Sequence, residues 1–465
     1  MAVLNGSSVS TSNGATPSTT NGTPSSTPTT GPNENAHLPI VIAGGGCVGL
    51  FLALLLSHTS PPLPNPIIVI EPQTPDPTST RAMAHQPPTY PIISRIPGLL
   101  EELISAGSLS SGLCFRTSVA NGSKIIAEKN FGNSGKGQLL LPQGKFQEIL
   151  MKRLYERAGT EIRIGHSVMG ISTNPPSNNN KSSATDSGSD SITVHINATA
   201  QNHDKKIKAA YLIDASGAHS PIRKSLSLSL AGETLDSTLV ATDIHFPFST
   251  HSFHDANFII DPLDYGLIGR ILPATDTTPA LWRVSYGVPG TPTVEEIEDG
   301  VHEKLARMLP DGGKDGEGDR AYEVVRIAPY KAHQRLSPTM YVQDKKVVLI
   351  GDAAHLTNPY AGLGLASGIA DASSLAPILH RILLNQAADP DALLQSWSDA
   401  RREKFLSVVD KPSRMSYMRV RSDVSSQEKV GELLARDPLV RALKEGGMPV
   451  MPPSLETRGE ELVGW

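Results

Sequence analysis

The stretch from residue 40 to residue 72 constrains the fold of this chain more than any other. It reads as an apolar strand, a glycine turn, an apolar helix and a second apolar strand that ends on Glu71. The glycines of the turn are Gly44, Gly46 and Gly49, in GxGxxG spacing. This order predicts two parallel strands joined by a crossover helix.

Each part of this stretch has a role if a dinucleotide binds there. Gly44 permits the tight turn, Gly46 lets the backbone approach a pyrophosphate, and Gly49 lets the helix lie close to the strand. The helix N-terminus offers N–H groups and partial positive charge to the phosphates. Glu71 follows the last glycine by about 22 residues, where a carboxylate can accept from ribose hydroxyls. An ordinary glycine turn is the alternative, which the ordered strand, helix and acid disfavour.

Composition excludes several classes of protein. The 465 residues suffice for two or three domains, and the formal net charge of -5 gives no basic field for nucleic acid or an anionic membrane. The only cysteines, Cys47 and Cys114, cannot form a disulfide framework or a multi-cysteine metal site. The scattered histidines indicate no metal site either. A small-molecule enzyme fits these features best.

The N-terminal residues 1–37 are rich in Ser, Thr, Asn, Gly and Pro and are predicted to be a disordered leader. They lack the basic and apolar regions of a secretion signal. No apolar run approaches the roughly 18 to 20 residues that span a bilayer. We therefore expect a cytoplasmic protein without a transmembrane segment.

A second glycine-rich stretch begins near residue 347. A buried strand ends in Gly351 and Asp352, and a loop with Pro359, Gly362 and Gly364 leads into a long helix. Backbone N–H groups at such a helix start can stabilise negative charge on a ligand. The alternative is a purely structural turn, in which the nearby histidine packs or supports the site.

Between the two glycine turns the pattern changes. Residues 232–335 alternate as antiparallel strands that would form one wall of a pocket. The polar tract of residues 173–191 is predicted to be a long hairpin loop, because similar strands flank it. The chain after residue 385 is helical by periodicity.

The two glycine turns together resemble those of the class A flavoprotein monooxygenases, the para-hydroxybenzoate and phenol hydroxylase family, especially its branch in fungal secondary metabolism. The resemblance covers residues 38–420. Its motifs are the GxGxxG turn with Glu71, the region of Arg81, LPQ ending at Gln143, DASGAHSPIR from Asp214, and GDAAH from Gly351.

The resemblance implies an α/β fold: a Rossmann-like FAD-binding domain of the glutathione reductase and para-hydroxybenzoate hydroxylase type, an inserted, mainly antiparallel substrate sheet, and a helical C-terminal part. The first part of the FAD-binding domain would span residues 38–235, with strands around 113–141 packing on the substrate domain. The substrate sheet would span 236–335, the second FAD-binding part 336–384, and the helical region 385–465.

The resemblance also assigns FAD as the cofactor, with Glu71 on its ribose, the Gly44 turn on its pyrophosphate, and Arg81 and Gln143 along its ribose-phosphate and ribityl stretch. Asp352 would hold a ribityl hydroxyl. The full set of implied cofactor residues is Gly44, Gly46, Gly49, Glu71, Arg81, Gln143, Asp352, Pro359, Gly362, Gly364 and Leu365.

The chain departs from the family pattern at two positions. Ser216 precedes Gly217 where the family has an aspartate associated with FAD and NAD(P)H contacts, and Ala366 stands where an asparagine is common. Asp214 would share a strand face with Ser216, so it either compensates or ends the strand. Arg223 keeps the basic position of the family, as a phosphate contact or a structural ion pair.

The expected activity is that of an FAD-dependent monooxygenase that uses NADPH or NADH and O2. Through a flavin C4a-hydroperoxide it would hydroxylate or epoxidise an aromatic, indole or isoprenoid small molecule. No catalytic side chain is assigned, because the chemistry is that of the flavin. Alternatives are a flavin oxidoreductase without oxygen insertion, a halogenase, although the WxWxIP motif is absent, or a flavoprotein binding module. The candidates for substrate contact are His254, Tyr265, Arg283 and Tyr286.

Overall fold

The computed structural model describes residues 37–80, 84–132, 134–173, 191–198, 203–447 and 454–465. The predicted disordered leader therefore lies outside the described residues, except for its last position. Most of the predicted loop between residues 173 and 191 also lies outside them. Arg81 falls in the gap after residue 80, so the structure does not describe its predicted cofactor contact.

The strands in the described residues are β1 (Ile40–Ala43), β2 (Ile67–Glu71), β3 (Ala84–His85), β4 (Ser108–Leu109), β5 (Gly112–Thr117), β6 (Ile125–Asn130), β7 (Leu139–Leu140), β8 (Thr160–Ile164), β9 (His166–Thr173), β10 (Ile192–Ala198), β11 (His203–Ala209), β12 (Tyr211–Asp214), β13 (Ala231–His245), β14 (Ala256–Ile260), β15 (Gly266–Leu272), β16 (Leu281–Pro289), β17 (Glu323–Leu336), β18 (Tyr341–Val342), β19 (Val347–Leu349) and β20 (His355–Leu356).

The α-helices in the same residues are α1 (Cys47–Ser57), α2 (Tyr90–Ile93), α3 (Leu99–Ala106), α4 (Gln143–Tyr155), α5 (Pro221–Ser225), α6 (Val294–Met308), α7 (Gly364–Leu383), α8 (Pro390–Lys404), α9 (Lys411–Val420), α10 (Gln427–Arg436) and α11 (Pro438–Lys444). A π-helical turn, Phe405–Asp410, joins α8 to α9.

A six-stranded sheet in the order β18-β19-β12-β1-β2-β8 forms the first layer. All of its neighbours are parallel except the edge strand β18. The strands β1, β12 and β19 are fully buried, as their continuous apolar runs require when both faces of a parallel sheet are covered. The β1–α1–β2 unit has the predicted order, and β2 ends on Glu71 as predicted.

The strands that flank the polar tract form a hairpin. β9 pairs antiparallel with β10, and Thr173 lies opposite Ile192. β11 completes this three-stranded sheet. The predicted hairpin strands are therefore present on either side of the loop.

An eight-stranded sheet in the order β20-β17-β13-β16-β15-β14-β5-β6 forms the second large layer. Its neighbours are antiparallel except for the parallel pair β14 and β5. Helix α6 starts with a capping box of Thr293 and Glu296 and packs its apolar side on one face of this sheet. β13 begins at Ala231, so it crosses the predicted boundary at residue 235, and the domain bounds remain a prediction.

The other face of the eight-stranded sheet is called the open face below. It is contacted by Thr80, which follows the parallel sheet strand β2, and by Tyr360 from the second glycine-rich loop. Segments that follow two strands of the parallel sheet, β2 and β19, therefore both reach this face. Within the described part of the chain, no helix is both long and apolar enough to cross a membrane.

Candidate cofactor and substrate site

The three glycines of the first turn have different surroundings. Gly44 has φ +107°, and a Cβ there would lie 2.3 Å from the carbonyl oxygen of Ala215. A Cβ on Gly49 would lie 2.1 Å from the carbonyl oxygen of Gly44. A Cβ on Gly46 would meet nothing within 4 Å. Packing thus requires the first and third glycines, whereas the middle one faces open space where a ligand can approach.

Glu71 lies beside this turn. Its Oε2 accepts a hydrogen bond from the N–H of Gly45 at 2.7 Å, and its Oε1 accepts one from the N–H of Gln73 at 3.1 Å. These bonds fix the carboxylate at the tip of β2, where it is partly exposed. It keeps the lone pairs needed to accept from hydroxyl groups.

Gln143 lies on the other side of the same helix start. The Sγ of Cys47, in the first turn of α1, is 3.8 Å from the carbonyl oxygen of Gln143. Gln147, one turn further along α4, donates from Nε2 to the carbonyl oxygen of Gly45 at 2.6 Å. Burial raises the pKa of Cys47 to about 12, so this thiol is neutral at physiological pH.

The second glycine turn reaches α1 as well. Gly351 has φ +59°, and a Cβ there would lie 3.3 Å from Cγ2 of Val48. Asp352 is exposed at the next position, yet the surrounding protein raises the pKa of its carboxyl group by desolvation. A side chain that lines a cleft can be exposed and still have a carboxyl group that is partly desolvated by the surrounding protein. Glu71 and Gly351, the residue before Asp352, therefore both lie beside the start of α1, since Gly45 and Val48 are less than one helical turn apart.

A fully buried carboxylate supports the second turn. Asp371 accepts at Oδ2 from the N–H of Gly351 at 3.0 Å and from Nε2 of His355 at 2.7 Å, and at Oδ1 from Nε of Arg401 at 2.8 Å. Burial alone would raise the pKa of Asp371, but the charges of His355 and Arg401 outweigh it and lower the pKa. His355 also stacks on Phe405, so it belongs to the support of the turn.

The loop that follows presents its backbone to the same cleft. The side chain of Asn358 accepts from the N–H of Tyr360 at 3.1 Å, and Gly362 has φ +64°. Pro359 is exposed and residues 362–365 are partly exposed, so the predicted Gly364 and Leu365 begin α7 at an accessible N-terminus. The first N–H groups of that helix have no carbonyl partner within it.

Asp214 does not replace the family's missing aspartate. Its side chain is completely buried and accepts from the N–H and hydroxyl of Ser216 and from the hydroxyl of Ser220. Arg223 donates to the carbonyl oxygens of Ala353 and Ala218. It therefore links the turn that follows β12 to the second glycine turn. Of the two roles predicted for Asp214, that of ending the strand agrees with this geometry.

A basic cavity of about 430 Å³ lies next to that turn. The basic side chains among its lining residues are His219, Arg223, Lys224, His333 and Arg335, and no carboxylate of the described residues lines it. Burial lowers the pKa of His333, and so do the charges of Arg335 and His219. The buried Nε atoms of Arg223 and Arg335 have no hydrogen-bond partner among the described residues. This chemistry suits an anionic ligand.

Of the four predicted substrate contacts, Arg283 and Tyr265 lie on the open face. Nε of Arg283 donates to Oδ1 of Asp243 at 2.8 Å, and its Nη2 donates to Oγ1 of Thr80 at 2.9 Å. Tyr265 donates to Ser237 at 3.0 Å and packs near Tyr360. Arg283 thus has two partners on the open face, Asp243 and Thr80. Thr80 directly precedes Arg81, which is predicted to contact the cofactor.

The other two predicted contacts are located elsewhere, so they need correction. Tyr286 points to the opposite face, where it is 1% exposed in the core under α6. His254 pairs with Glu128 on β6 at 2.7 Å, at the far edge of the sheet. Successive side chains of a strand point to opposite faces, so Tyr286 cannot share the face of Arg283.

Sequence reasoning missed five residues that the structure brings to this region: Thr80, Arg326, Tyr330, Asp371 and Arg401. Arg326 and Tyr330 share an alternation on β17 that marks one face of a strand. Asp371 and Arg401 meet through tertiary packing of two helices, for which the sequence carries no local signal.

The comparisons with known proteins agree with this geometry. Residues 37–411 match a family model described as an FAD binding domain. The chain is 31% identical over 372 residues to para-nitrophenol 4-monooxygenase of Pseudomonas sp. (strain WBC-3), covering 79% of this chain and 83% of that relative. It is 28% identical over 375 residues to 6-hydroxy-3-succinoylpyridine 3-monooxygenase of Pseudomonas putida (strain DSM 28022 / S16), covering 80% and 86%.

The crystal structure of p-nitrophenol 4-monooxygenase from Pseudomonas putida DLL-E4 superposes with a TM-score of 0.73 at 26% identity, covering 88% of this chain and 96% of that one. The chain belongs to this family of FAD-dependent monooxygenases. The predicted fold class, the FAD cofactor and the enzyme class are confirmed. The individual cofactor contacts of the monooxygenase remain predictions.

Proposed function

We propose that this monooxygenase hydroxylates a phenol or a related hydroxylated six-membered aromatic ring, with NADPH or NADH as the reductant and O2 as the oxidant. One oxygen atom enters the ring and the other leaves as water, and the nicotinamide supplies the two electrons. Two of the relatives are named for a nitrophenol and a hydroxypyridine, which supports this substrate class.

The residues present fit FAD. Gly46 leaves space for a pyrophosphate beside the N-terminus of α1, Glu71 can accept from the ribose, and Asp352 can accept from a ribityl hydroxyl. Arg81 and Gln143 would complete the contacts between these ends. When bound, FAD supplies the redox chemistry, which is electron acceptance from a nicotinamide and activation of O2.

The chain itself supplies orientation and electrostatics. The free N–H groups at the start of α7, near Gly364 and Leu365, can stabilise negative charge on a ring that lies against them. The open face of the sheet covers the other side of the cleft and excludes water from it. The hydrogen bond from the N–H of Gly351 to Asp371 fixes the backbone of the turn that carries Asp352.

The basic cavity supports the use of a nicotinamide dinucleotide. Its positive side chains, Arg223, Lys224 and Arg335, suit the phosphates of such a molecule, and no carboxylate of the described residues lines it. It includes His219, three residues after Ser216, so the basic side chains of the cavity can contribute where the family's aspartate is missing. The observation that carries the whole proposal is the convergence of Glu71, Gly46 and the turn of Gly351 and Asp352 on one helix start.

The test is turnover of the purified holoenzyme with 4-nitrophenol, NADPH or NADH, and ¹⁸O₂. We expect bound flavin, substrate-dependent nicotinamide oxidation and a product that gains one ¹⁸O atom. Nicotinamide oxidation with no labelled product would support an oxidoreductase without oxygen insertion. Chloride-dependent product would support a halogenase, and bound FAD without turnover would support a binding module.

The nicotinamide site has its own test. Replacing Arg335 with Met should raise the KM for NADPH by about tenfold, since a charge-assisted bond to phosphate contributes roughly 1.5 to 3 kcal/mol, while flavin content stays unchanged. Lys331→Met is the matched control, because Lys331 lies on the same strand and, within the described part of the chain, its side chain bonds only to the backbone of Gly290. Equal KM values for the two variants would contradict the assignment. The role in fungal secondary metabolism stays a prediction.

A further inference from the structure

The loop of residues 357–363 joins β20 to α7, and glutamines from two other parts of the chain hold its ends. Gln334 of β17 holds the first end. Its Oε1 accepts from the backbone N–H of Asn358 at 2.5 Å and from the side-chain amide of Asn358 at 2.9 Å. Gln334 is only 1% exposed, and its Nε2 donates to Asp410 at 2.8 Å. This end of the loop is therefore fixed from the protein interior.

Gln86 holds the other end of the loop. It directly follows β3, and its Nε2 donates to the carbonyl oxygen of Ala361 at 3.3 Å. The same amide lies beside Gly362, where a Cβ would be 2.4 Å from Nε2 of Gln86. The amide of Gln86 thus takes the place that a side chain at residue 362 would need, next to a backbone whose φ of +64° already favours glycine.

A further glutamine orients the amide of Gln86. Nε2 of Gln138 donates to Oε1 of Gln86 at 3.1 Å. The carbonyl oxygen of Ala361 can only accept, so Gln86 must present its NH2 group to Ala361 and its oxygen to Gln138. The two glutamines lie directly beyond the antiparallel pairing of β3 with β7, and the backbone of Gln138 accepts from the N–H of Ser110 at 2.7 Å. The small sheet therefore sets the direction of the bond to the loop.

The end of the loop that Gln86 holds leads straight into α7. The N–H of Ser367 bonds to the carbonyl oxygen of Leu363, so the N–H groups of residues 364–366 precede the first bond of the helix and have no carbonyl partner within it. Residues 361–365 are partly exposed. These N–H groups are the donors that can stabilise negative charge on a flavin ring. Their position depends on the peptide group that Gln86 holds.

We propose that Gln86 is a positioning residue for the flavin: through the carbonyl group of Ala361 it holds the N–H groups at the start of α7 in the position that stabilises the reduced, negatively charged ring. The oxidised ring is neutral and gains less from these donors. The amide of Gln86 therefore favours the reduced form of bound FAD without contacting the reacting atoms. The inference rests on the FAD cofactor and needs neither the proposed substrate nor the nicotinamide.

The first test measures the reduction potential of bound flavin in Gln86→Leu, by titration with dithionite against a reference dye. Binding of oxidised FAD should change little, whereas binding of reduced FAD should weaken by about fivefold, the effect of one hydrogen bond. For a two-electron couple a fivefold change lowers the potential by about 20 mV. Gln395→Leu is the matched control and should keep the wild-type potential, because Gln395 is also partly exposed but bonds to Asp399 on its own helix.

An unchanged potential in Gln86→Leu would overturn the inference, because an amide that only supports the fold would weaken binding of both forms of FAD equally. A folded Gln86→Leu protein that binds no flavin would overturn it as well, since the amide would then serve the cofactor site as a whole.

The second test uses the residue that orients Gln86, and it applies even if Gln86→Leu does not fold. Gln138→Leu leaves the amide of Gln86 free to turn, so the potential should fall in the same direction but by less. When both residues are leucine, the potential should equal that of Gln86→Leu alone, because Gln138 acts through Gln86. Additive shifts, or no shift in Gln138→Leu, would overturn the inference.

Discussion

Two carboxylates in this molecule each face two basic side chains, yet their environments differ. Asp371 is fully buried, and its partners Arg401 and His355 are only 1% exposed at their side chains. Asp243 is equally buried, but its second arginine, Arg326, is 41% exposed. The first cluster is closed on all sides by protein, whereas the second ends in a cleft.

This difference separates support from recognition. A buried ion pair stabilises a structure only when its polar atoms are satisfied, and both oxygens of Asp371 accept hydrogen bonds, one of them from the Gly351 turn. Among the described residues, the buried Nδ1 of His355 has no partner. An exposed guanidinium beside a shared carboxylate retains donors for a ligand. The same residue types therefore hold the fold in one region and are placed to bind a ligand in the other.

The largest effect is expected in the closed cluster. Arg401→Met leaves Asp371 buried without its arginine and should lower the free energy of unfolding by about 3 kcal/mol, measured by thermal denaturation. Flavin affinity should fall as well, because Asp371 positions the turn with Asp352. Arg402→Met, on the same helix but partly exposed, is the control and should cost less than about 1 kcal/mol. If Arg401→Met had the melting temperature of the wild type, the Asp371 cluster would not stabilise the fold more than the Asp243 cluster does.

A smaller effect is expected in the open cluster. Thr80→Val removes the hydroxyl that donates to Asp243 and accepts from Arg283 and Arg326. The free energy of unfolding should fall by about 1 kcal/mol, and substrate affinity should fall more than stability. Thr78→Val, at an exposed position two residues earlier, controls for the loss of a threonine. A stability loss as large as that of Arg401→Met would show that this cluster is also mainly structural.

The smallest effect concerns Asp352 and depends on pH. Desolvation raises the pKa of this carboxyl above 3.8, so the folded protein binds the proton more tightly than the unfolded chain. The stability contributed by the protonated form is lost as pH rises through the folded pKa. Asp352→Asn should therefore raise the melting temperature of the apoprotein at pH 7 by about 1 to 2 °C, an effect kept small by contact with water.

This gain should vanish as pH falls towards 4, and flavin binding should weaken at neutral pH. Thermal scans across pH and flavin titration measure the two effects separately. A gain that grows on acidification would contradict the raised pKa. The expected result makes the effect of Asp352 on the melting temperature smaller than the effects of Arg401 and Thr80. A carboxylate that faces a ligand would then contribute less to stability than either cluster.

The parts of the fold that were predicted correctly depend on local patterns. The strand β1, the glycine turn and the strand β2 ending at Glu71 each need only neighbouring residues to be recognised. The open face needs more. Alternation along β16 divides Arg283 from Tyr286, but it does not say which face α6 covers, so the sequence predicts both as candidates for substrate contact.

The site residues that were missed depend on contacts between distant segments. Thr80 meets Asp243 and Arg283 across more than 160 positions, and Arg401 meets Asp371 through the packing of α8 on α7. A single sequence carries no local mark of such pairs. The sequence permits two roles for Asp214, because only the folded turn shows that Ser216 and Ser220 occupy its oxygens.

Arg401 has a further consequence through its second pair of contacts. Its Nη1 donates to the carbonyl oxygen of Leu455 and to the hydroxyl of Thr457, while its Nε holds Asp371. Proteolytic trimming that removes residues 454–465 would leave both sheets intact and still strip this guanidinium of two acceptors. A chain shortened in this way should lose its yellow colour on dialysis sooner than the intact protein.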